Sequence, residues 1–262
     1  MDYTLNVHGQ LLDMSRPLVM GILNATPDSF YADSRQQTEE DVASCCDRIL
    51  AEGAAMIDVG GCSTRPGGEV ATEAQEMERL RKALAVIRQR QPDAILSIDT
   101  FRPDVARMAV EEFGAGIIND VSGGTPEMFR MVTRLRVPYI LMSLQPTMRD
   151  MLLSFAEKVQ QLRDMGANDI ILDPGFGFGK TLDQNYEIMN ELEKLQVMEL
   201  PLLVGISRKS MIYRSFNCTP KEALNGTTAL NTIALMKGAG ILRVHDVKEA
   251  VECVKIVQQL NC

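Results

Sequence analysis

Three carboxylates, Asp58, Asp99 and Asp173, each stand at the end of a short apolar run, and Asn119 ends a fourth. A carboxylate accepts two hydrogen bonds in one plane, so these acids suit a flat ligand that presents adjacent ring N–H and amino donors. A carboxamide adds a group that both donates and accepts. Asp58 precedes Gly60-Gly61 and also reads as a support for the loop that follows. Of opposite sign are Arg65 in STRPGG, Lys209 in GISRKS, and Arg243 with His245 in RVHD. Arginine offers a planar fork to phosphate oxygens, lysine a compact charge, and histidine a donor or proton carrier near neutral pH. Gathered together, these residues would hold a donor-edged heterocycle joined to an anion. Arg208 and Arg214 read as surface or ion-pair groups.

Residues so distant in sequence need a fold that collects them. The runs PLVMGILN, AMIDVGG, AILSID, GIIND, PYILM, DIILD, LPLLVGIS and ILRVH are short and continuously apolar, as strands buried on both faces are. Their polar ends are Asn24, Asp58, Asp99, Asn119, Ser143, Asp173, Ser207 and Arg243. Helical segments alternate with them. In TEEDVASCCDRILAEG, Thr38 can cap, Glu39, Glu40 and Asp41 favour the positive helix end, and Val42, Cys45, Cys46, Ile49 and Leu50 form a stripe before Gly53. Val247, Ala250, Val251, Val254 and Val257 repeat the pattern near the C-terminus. Strand and helix in alternation admit an open doubly wound sheet or a closed barrel. An open sheet concentrates ligand contacts near its switch point, whereas a barrel gathers the C-terminal ends of its strands into one ring. Polar ends spread over all the runs therefore predict an α/β fold of the (β/α)8 TIM-barrel type. The 262 residues match one such domain over 1–262, close to the roughly 250 typical of the fold. Residues 1–17, with a turn at His8-Gly9, form a short N-terminal hairpin-like extension over the barrel's N-terminal end.

Composition narrows the classes. A formal net charge of -8 disfavours nucleic acid and anionic membranes as partners. No apolar stretch approaches the ~20 residues of a membrane helix, and MDYTLNVHGQ lacks the regions of a signal peptide, so a cytoplasmic location is expected. Six cysteines without CxxC spacing and two histidines argue for reduced thiols rather than a zinc site. The tract DPGFGFGKT invites a nucleotide-binding reading, yet Pro174 occupies the position where a P-loop needs glycine, and proline has no N–H for a phosphate. It reads instead as backbone held near a flat ligand, with Phe176 or Phe178 against the ring and Asp173 on its edge.

The tracts MGILNATPDSF, IDVGGCSTRPGG, SIDTFRPDVA, IIND, DPGFGFGKT, VGISRKSMI and RVHDVKEAV, spanning residues 18–252, together resemble the dihydropteroate synthase family of folate biosynthesis. The resemblance implies an α/β barrel that joins a dihydropterin-methyl diphosphate to 4-aminobenzoate. It implies pterin recognition by Asp99, Asn119, Asp173 and Lys209, with Met142, Phe178 and Gly205 lining that pocket. It places the diphosphate on Asn24, Arg65, Arg243 and His245, with Asn24 also reaching a magnesium ion (Mg2+), and aminobenzoate near Thr64, Pro66 and Ser207. The resemblance also implies catalytic roles for Lys209, Arg243 and Asp99. A homodimer and sensitivity to sulfonamides, which imitate aminobenzoate, follow from the same resemblance.

The implied chemistry is a dissociative substitution, with loops 24–37 and 61–72 expected to close over the reactants. The chain departs from the family at Ser143-Leu144-Gln145, where a histidine commonly follows the strand-5 methionine. It departs again at Tyr31-Ala32-Asp33-Ser34, so no metal role is assigned to Asp33. Two other classes fit parts of the pattern. A Schiff-base aldolase would use Lys209 or Lys180 but leaves Arg65, Arg243 and His245 without a purpose. A non-catalytic or methyl-transferring pterin-binding barrel would keep the acids and has no need of the diphosphate cations.

Overall fold

A computed structural model describes residues 3–25, 39–62 and 71–260. Thr38, Asp33, Thr64, Arg65 and Pro66 lie outside the described residues, as does most of both expected closing loops. The chain opens with β1 (Thr4–Val7) and β2 (Gln10–Asp13), an antiparallel hairpin turned at His8-Gly9, where both residues have positive φ. Strand and helix then alternate: β3 (Leu18–Asn24), α1 (Glu39–Ala51), β4 (Met56–Gly60), α2 (Glu73–Arg90), β5 (Leu96–Asp99), α3 (Pro103–Phe113), β6 (Ile117–Asp120) and α4 (Pro126–Leu135). There follow β7 (Tyr139–Met142), α5 (Met148–Asp164), β8 (Ile170–Asp173), α6 (Leu182–Asn190), β9 (Leu203–Val204), α7 (Ser210–Tyr213), α8 (Leu224–Met236), β10 (Ile241–Val244) and α9 (Val247–Leu260).

The sheet order is β8-β7-β6-β5-β4-β3-β10-β9, with every pairing parallel. A parallel bridge between Leu172 and Leu202 joins its two edges and closes the barrel. Each of the eight predicted apolar runs supplies one barrel strand. Helix starts follow their side chains: Thr72 and Thr181 form capping boxes with Gln75 and Gln184, while Thr125 and Thr147 each accept a hydrogen bond from a backbone N–H three residues on. The predicted α1 stripe buries Val42, Cys46 and Ile49, with Cys45 and Leu50 half-buried at its margin.

Period-two alternation sorts the strand residues. One set, including Val19, Leu23, Ile57, Val59, Ile98, Ile118, Leu141, Leu172 and Leu242, packs outward against the helices. The other set fills the barrel's N-terminal half with Met20, Met56, Ile117, Ile140, Ile171, Leu203 and Ile241, over which Leu5, Val7 and Met14 of the hairpin segment close. Two residues further along the same inward rows, Ile22 and Met142 remain apolar, while the others turn polar or small: Asp58, Asn119, Asp173, Gly205 and Arg243. Ser143 is out of phase with this ring. Met142 takes the inward position on β7, and Ser143 continues the ladder, donating its N–H to the Asp173 carbonyl at 2.8 Å.

Candidate active site

At the C-terminal mouth, β4, β5, β6 and β10 deliver one polar cluster. Asp58 is fully buried and central to it. Its Oδ1 accepts from Ser97 Oγ at 2.6 Å, and its Oδ2 accepts from Asn119 Nδ2 at 3.0 Å and from Arg243 Nε at 2.6 Å. The other arm of the Arg243 fork donates from Nη2 to Asp99 Oδ2 at 2.6 Å. A buried cation must be paired to remain charged. Burial works against the Arg243 charge, but Asp58, Asp99 and Asp173 more than offset it and raise its pKa. Burial likewise raises the Asp99 carboxyl against the pull of Arg243. Because the Asn119 amide donates to Asp58, its Oδ1 is oriented as an acceptor, and this buried oxygen has no hydrogen-bond partner among the described residues.

On the other side of the mouth, cations meet backbone rather than carboxylates. Lys209, which precedes α7, donates from Nζ to the Phe176 carbonyl at 2.5 Å and stands 4.6 Å from the centroid of the Phe178 ring. Burial lowers its pKa to about 8, with Asp173 opposing the shift. Burial also raises Asp173, partly offset by Lys209, and its Oδ1 accepts the Gly175 N–H at 2.7 Å. Gly175 and Gly177 have φ of 67° and 81°; a Cβ at Gly175 would strike the Ser143 carbonyl, and one at Gly177 would press the Lys209 stem. The glycines of DPGFGFGKT thus bring backbone close to a lysine and a neighbouring strand. Of the two phenylalanines, Phe176 is buried in the core and Phe178 is partly exposed beside Lys209, so Phe178 is the one placed to face a ligand.

His245 is fixed by Ser207: its Nδ1 and the Ser207 hydroxyl share a hydrogen bond of 3.0 Å, and its backbone N–H donates to the same Oγ at 3.2 Å. Gly205 lies against the Arg243 stem. Asn24 ends β3 beside Gly60 at the same mouth. Asp99, Asn119, Asp173, Lys209, Arg243, His245, Ser207, Met142, Phe178, Gly205 and Asn24 therefore share one end of the barrel, whereas Thr64, Arg65 and Pro66 are not described. Arg208 forms a forked pair with Asp246, consistent with its reading as a structural group. Lys180 gives all three ammonium hydrogens to the carbonyls of Ser143, Gly175 and Phe178, an arrangement unlike that of a Schiff-base nucleophile, which needs an unengaged amine.

Two participants escape the reading of single motifs. Ser97 orients Asp58, and its signal was the spacing to Asp99, since residues i and i+2 of a strand face the same side. Asp58, read as a support for the next loop, instead links the Asn119 amide to Arg243.

A family model described as pterin binding enzyme matches residues 20–245. Dihydropteroate synthase of Escherichia coli (strain K12) is 39% identical over 266 residues, covering 95% of this chain and 94% of that protein. The structure of Yersinia pestis dihydropteroate synthase with a sulfonamide drug complex is similar at a TM-score of 0.92, with 38% identity and 99% of each chain covered. That of Xanthomonas albilineans dihydropteroate synthase with 4-aminobenzoic acid is similar at a TM-score of 0.92 and 34% identity, covering 100% of this chain and 99% of that one. With a barrel mouth that gathers buried acceptors on one side and a paired arginine on the other, the chain belongs to the dihydropteroate synthase family of pterin-binding enzymes.

Proposed function

We infer that the protein condenses (7,8-dihydropterin-6-yl)methyl diphosphate with 4-aminobenzoate, forming 7,8-dihydropteroate and releasing diphosphate. The observation that carries this reading is the buried, unpartnered Oδ1 of Asn119, held as an acceptor in the ring that also contains Asp99 and Asp173. Three acceptors in a confined mouth call for a ligand edge rich in N–H donors, as a pterin has. Asp99, Asn119 and Asp173 take that edge, Lys209 donates to the ring's acceptors, and Met142, Phe178 and Gly205 line the faces. Arg243 and His245, with Arg65 and Asn24, take the diphosphate. Thr64, Pro66 and Ser207 take the aminobenzoate.

The pairing of Arg243 with Asp99 bears on the chemistry. It puts a permanent cation next to a ring-binding carboxylate, at the junction of heterocycle and leaving group. The arylamine is neutral at pH 7 and already nucleophilic, so the demanding event is C–O cleavage at the pterin methylene. Diphosphate departs with the bonding pair, its charge met by Arg243 and His245, while the electron-rich ring held by the carboxylates stabilises positive charge at the carbon. The amine nitrogen then bonds to that carbon through its lone pair, and the resulting acidic anilinium passes its proton to water. Lys209, Arg243 and Asp99 are the catalytic residues in this scheme.

A divalent cation fits the donor set modestly. Asn24 offers a single amide oxygen, and no group of three His, Cys, Asp or Glu among the described residues could hold a metal. Mg2+ keeps several waters and takes substrate phosphate oxygens alongside few protein ligands, so Asn24 suffices as its protein contact. When bound, the ion supplies charge neutralisation on the departing diphosphate. No helix of the described residues is long and apolar enough to cross a membrane. Our reading takes the protein as a cytoplasmic homodimer, to be checked by fractionation and by light scattering.

The assay that tests this function combines purified protein, pterin diphosphate, 4-aminobenzoate and Mg2+, and measures diphosphate and dihydropteroate together. Equimolar appearance of both products is expected, with sulfonamides competing against aminobenzoate. No product above background, with tight pterin binding retained, would replace the synthase by a non-catalytic or methyl-transferring pterin-binding barrel.

A further inference from the structure

The mechanism above makes no use of Lys180, although this side chain is largely buried at the mouth. Its ammonium donates to the carbonyls of Ser143 at 2.9 Å, Gly175 at 2.9 Å and Phe178 at 3.3 Å. Three N–H donors meet three acceptors, which is the full capacity of a lysine. Two of those carbonyls belong to the loop between β8 and α6, and the third belongs to Ser143, the residue that follows β7. The close approach of Gly175 to Ser143 means the two segments touch at this point.

The stapled loop is the one whose backbone orients the ring-facing residues. Its Gly175 N–H holds Asp173, its Phe176 carbonyl holds Lys209, and its Phe178 ring stands beside the Lys209 ammonium. Arg243 and His245 are held by other partners, Asp58 with Asp99 and Ser207 respectively. We propose that Lys180 is a positioning residue: by fastening the loop after β8 to the end of β7, it sets Asp173 and Lys209 for the pterin while leaving the diphosphate and aminobenzoate groups to their own supports. The fastening point is Ser143, the residue after β7, and the bond uses its backbone carbonyl, which any residue there supplies. Burial lowers the Lys180 pKa to about 8, with Asp173 opposing, so the charge that makes the staple is retained at neutral pH.

This proposal rests on the reading of the mouth as a pterin site, and the experiment separates the two. Wild type, Lys180→Met and Lys180→Arg are titrated with 6-hydroxymethylpterin by calorimetry, and KM is measured for both substrates. Lys180→Met is expected to weaken free pterin and raise KM for the pterin diphosphate by about ten- to hundredfold, with KM for aminobenzoate within about twofold. Lys180→Arg, which keeps the charge and its donors, restores most of the loss. The charges facing Lys209 are Asp173, Arg243, Lys180 and Asp99. Removing the Lys180 cation therefore also moves the alkaline limb of kcat/KM to higher pH, a change that loosened packing would not produce. If Lys180→Met does not fold, Lys180→Gln, with two N–H donors and no charge, serves the same comparison.

Pterin affinity within about twofold of wild type in a folded, uncharged variant overturns the proposal and leaves the synthase reading intact. Equal losses for both substrates also overturn it, because the effect would then be general. A wild type that binds no pterin removes both.

Discussion

The two ends of the barrel are built from the same strands and do opposite work. At the N-terminal end the inward residues are Met20, Met56, Ile117, Ile140, Ile171, Leu203 and Ile241, sealed by Leu5 and Val7 of the hairpin. Two positions further along, the inward residues become Ile22, Asp58, Asn119, Met142, Asp173, Gly205 and Arg243. The closed end gains most of its free energy from apolar burial. The open end places acids and cations where solvation is poor and compensates by pairing them with one another or with backbone carbonyls. A cleft of about 210 Å³ does lie near the hairpin, lined by Tyr3, Met14, Leu200, Leu202, Gly240 and their neighbours, but it contains none of the inward polar residues. Stability and chemistry are thus separated along the barrel axis by one step of the strand repeat.

Substitutions at the two ends should have opposite signatures, the largest at the mouth. Arg243→Ala leaves Asp58 and Asp99 without their shared cation. It is expected to lower kcat/KM for the pterin diphosphate on the order of a thousandfold, and more than it lowers affinity for a free pterin. Steady-state kinetics beside calorimetry would show this, and equal losses would mean that the arginine serves the ring rather than its leaving group.

At the other end, Leu5→Ala opens a cavity under the hairpin and should cost about 2–5 kcal/mol of stability in urea melts, while kcat stays within about twofold. A parallel fall in kcat would show that the two ends are not independent.

The pH response sharpens the contrast within a single residue. Burial lowers Lys209 from 10.5 to about 8, so its cation is present below that pH and lost above it. The expected result is a kcat/KM that falls as pH rises through about 8. In the unfolded chain the same lysine keeps its proton up to about 10.5, so between these values the unfolded state binds more protons and stability rises with pH. Kinetic and melting profiles taken together should therefore diverge over this window, and a Lys209 variant should lose the divergence in part, because Lys180 titrates in the same direction.

The smallest effect belongs to His8, which donates from Nε2 to the carbonyls of Gly114 and Ala115 at the barrel floor. His8→Ala should lower stability by about 1 kcal/mol and leave both KM values unchanged, as differential scanning calorimetry and the coupled assay can verify.

Much of the fold was legible because its signals are local. Continuous apolar runs and the His8-Gly9 turn each depend on a few neighbouring residues, and each is found where the pattern predicts it. The ring of polar strand ends was legible to within one position, the exception being Ser143, whose place in the inward row is taken by Met142. Less visible was how the ring residues engage one another. Asp58 read as a loop support, yet it joins Ser97, Asn119 and Arg243. Lys180 read as a possible nucleophile, yet it binds three carbonyls.

By itself, the order of residues determined which positions are apolar, where strands and helices begin, and that acids, amide and cations would arrive at one end of a barrel. Their family tracts added the substrates. Tertiary structure alone decided the partnerships, because Asp58, Ser97, Asn119 and Arg243 meet only after the barrel closes in a particular register. The same closure chose the acceptor face of Asn119. Local sequence can specify an amide, but its orientation depends on a carboxylate 61 residues away, and that distance is bridged by the fold.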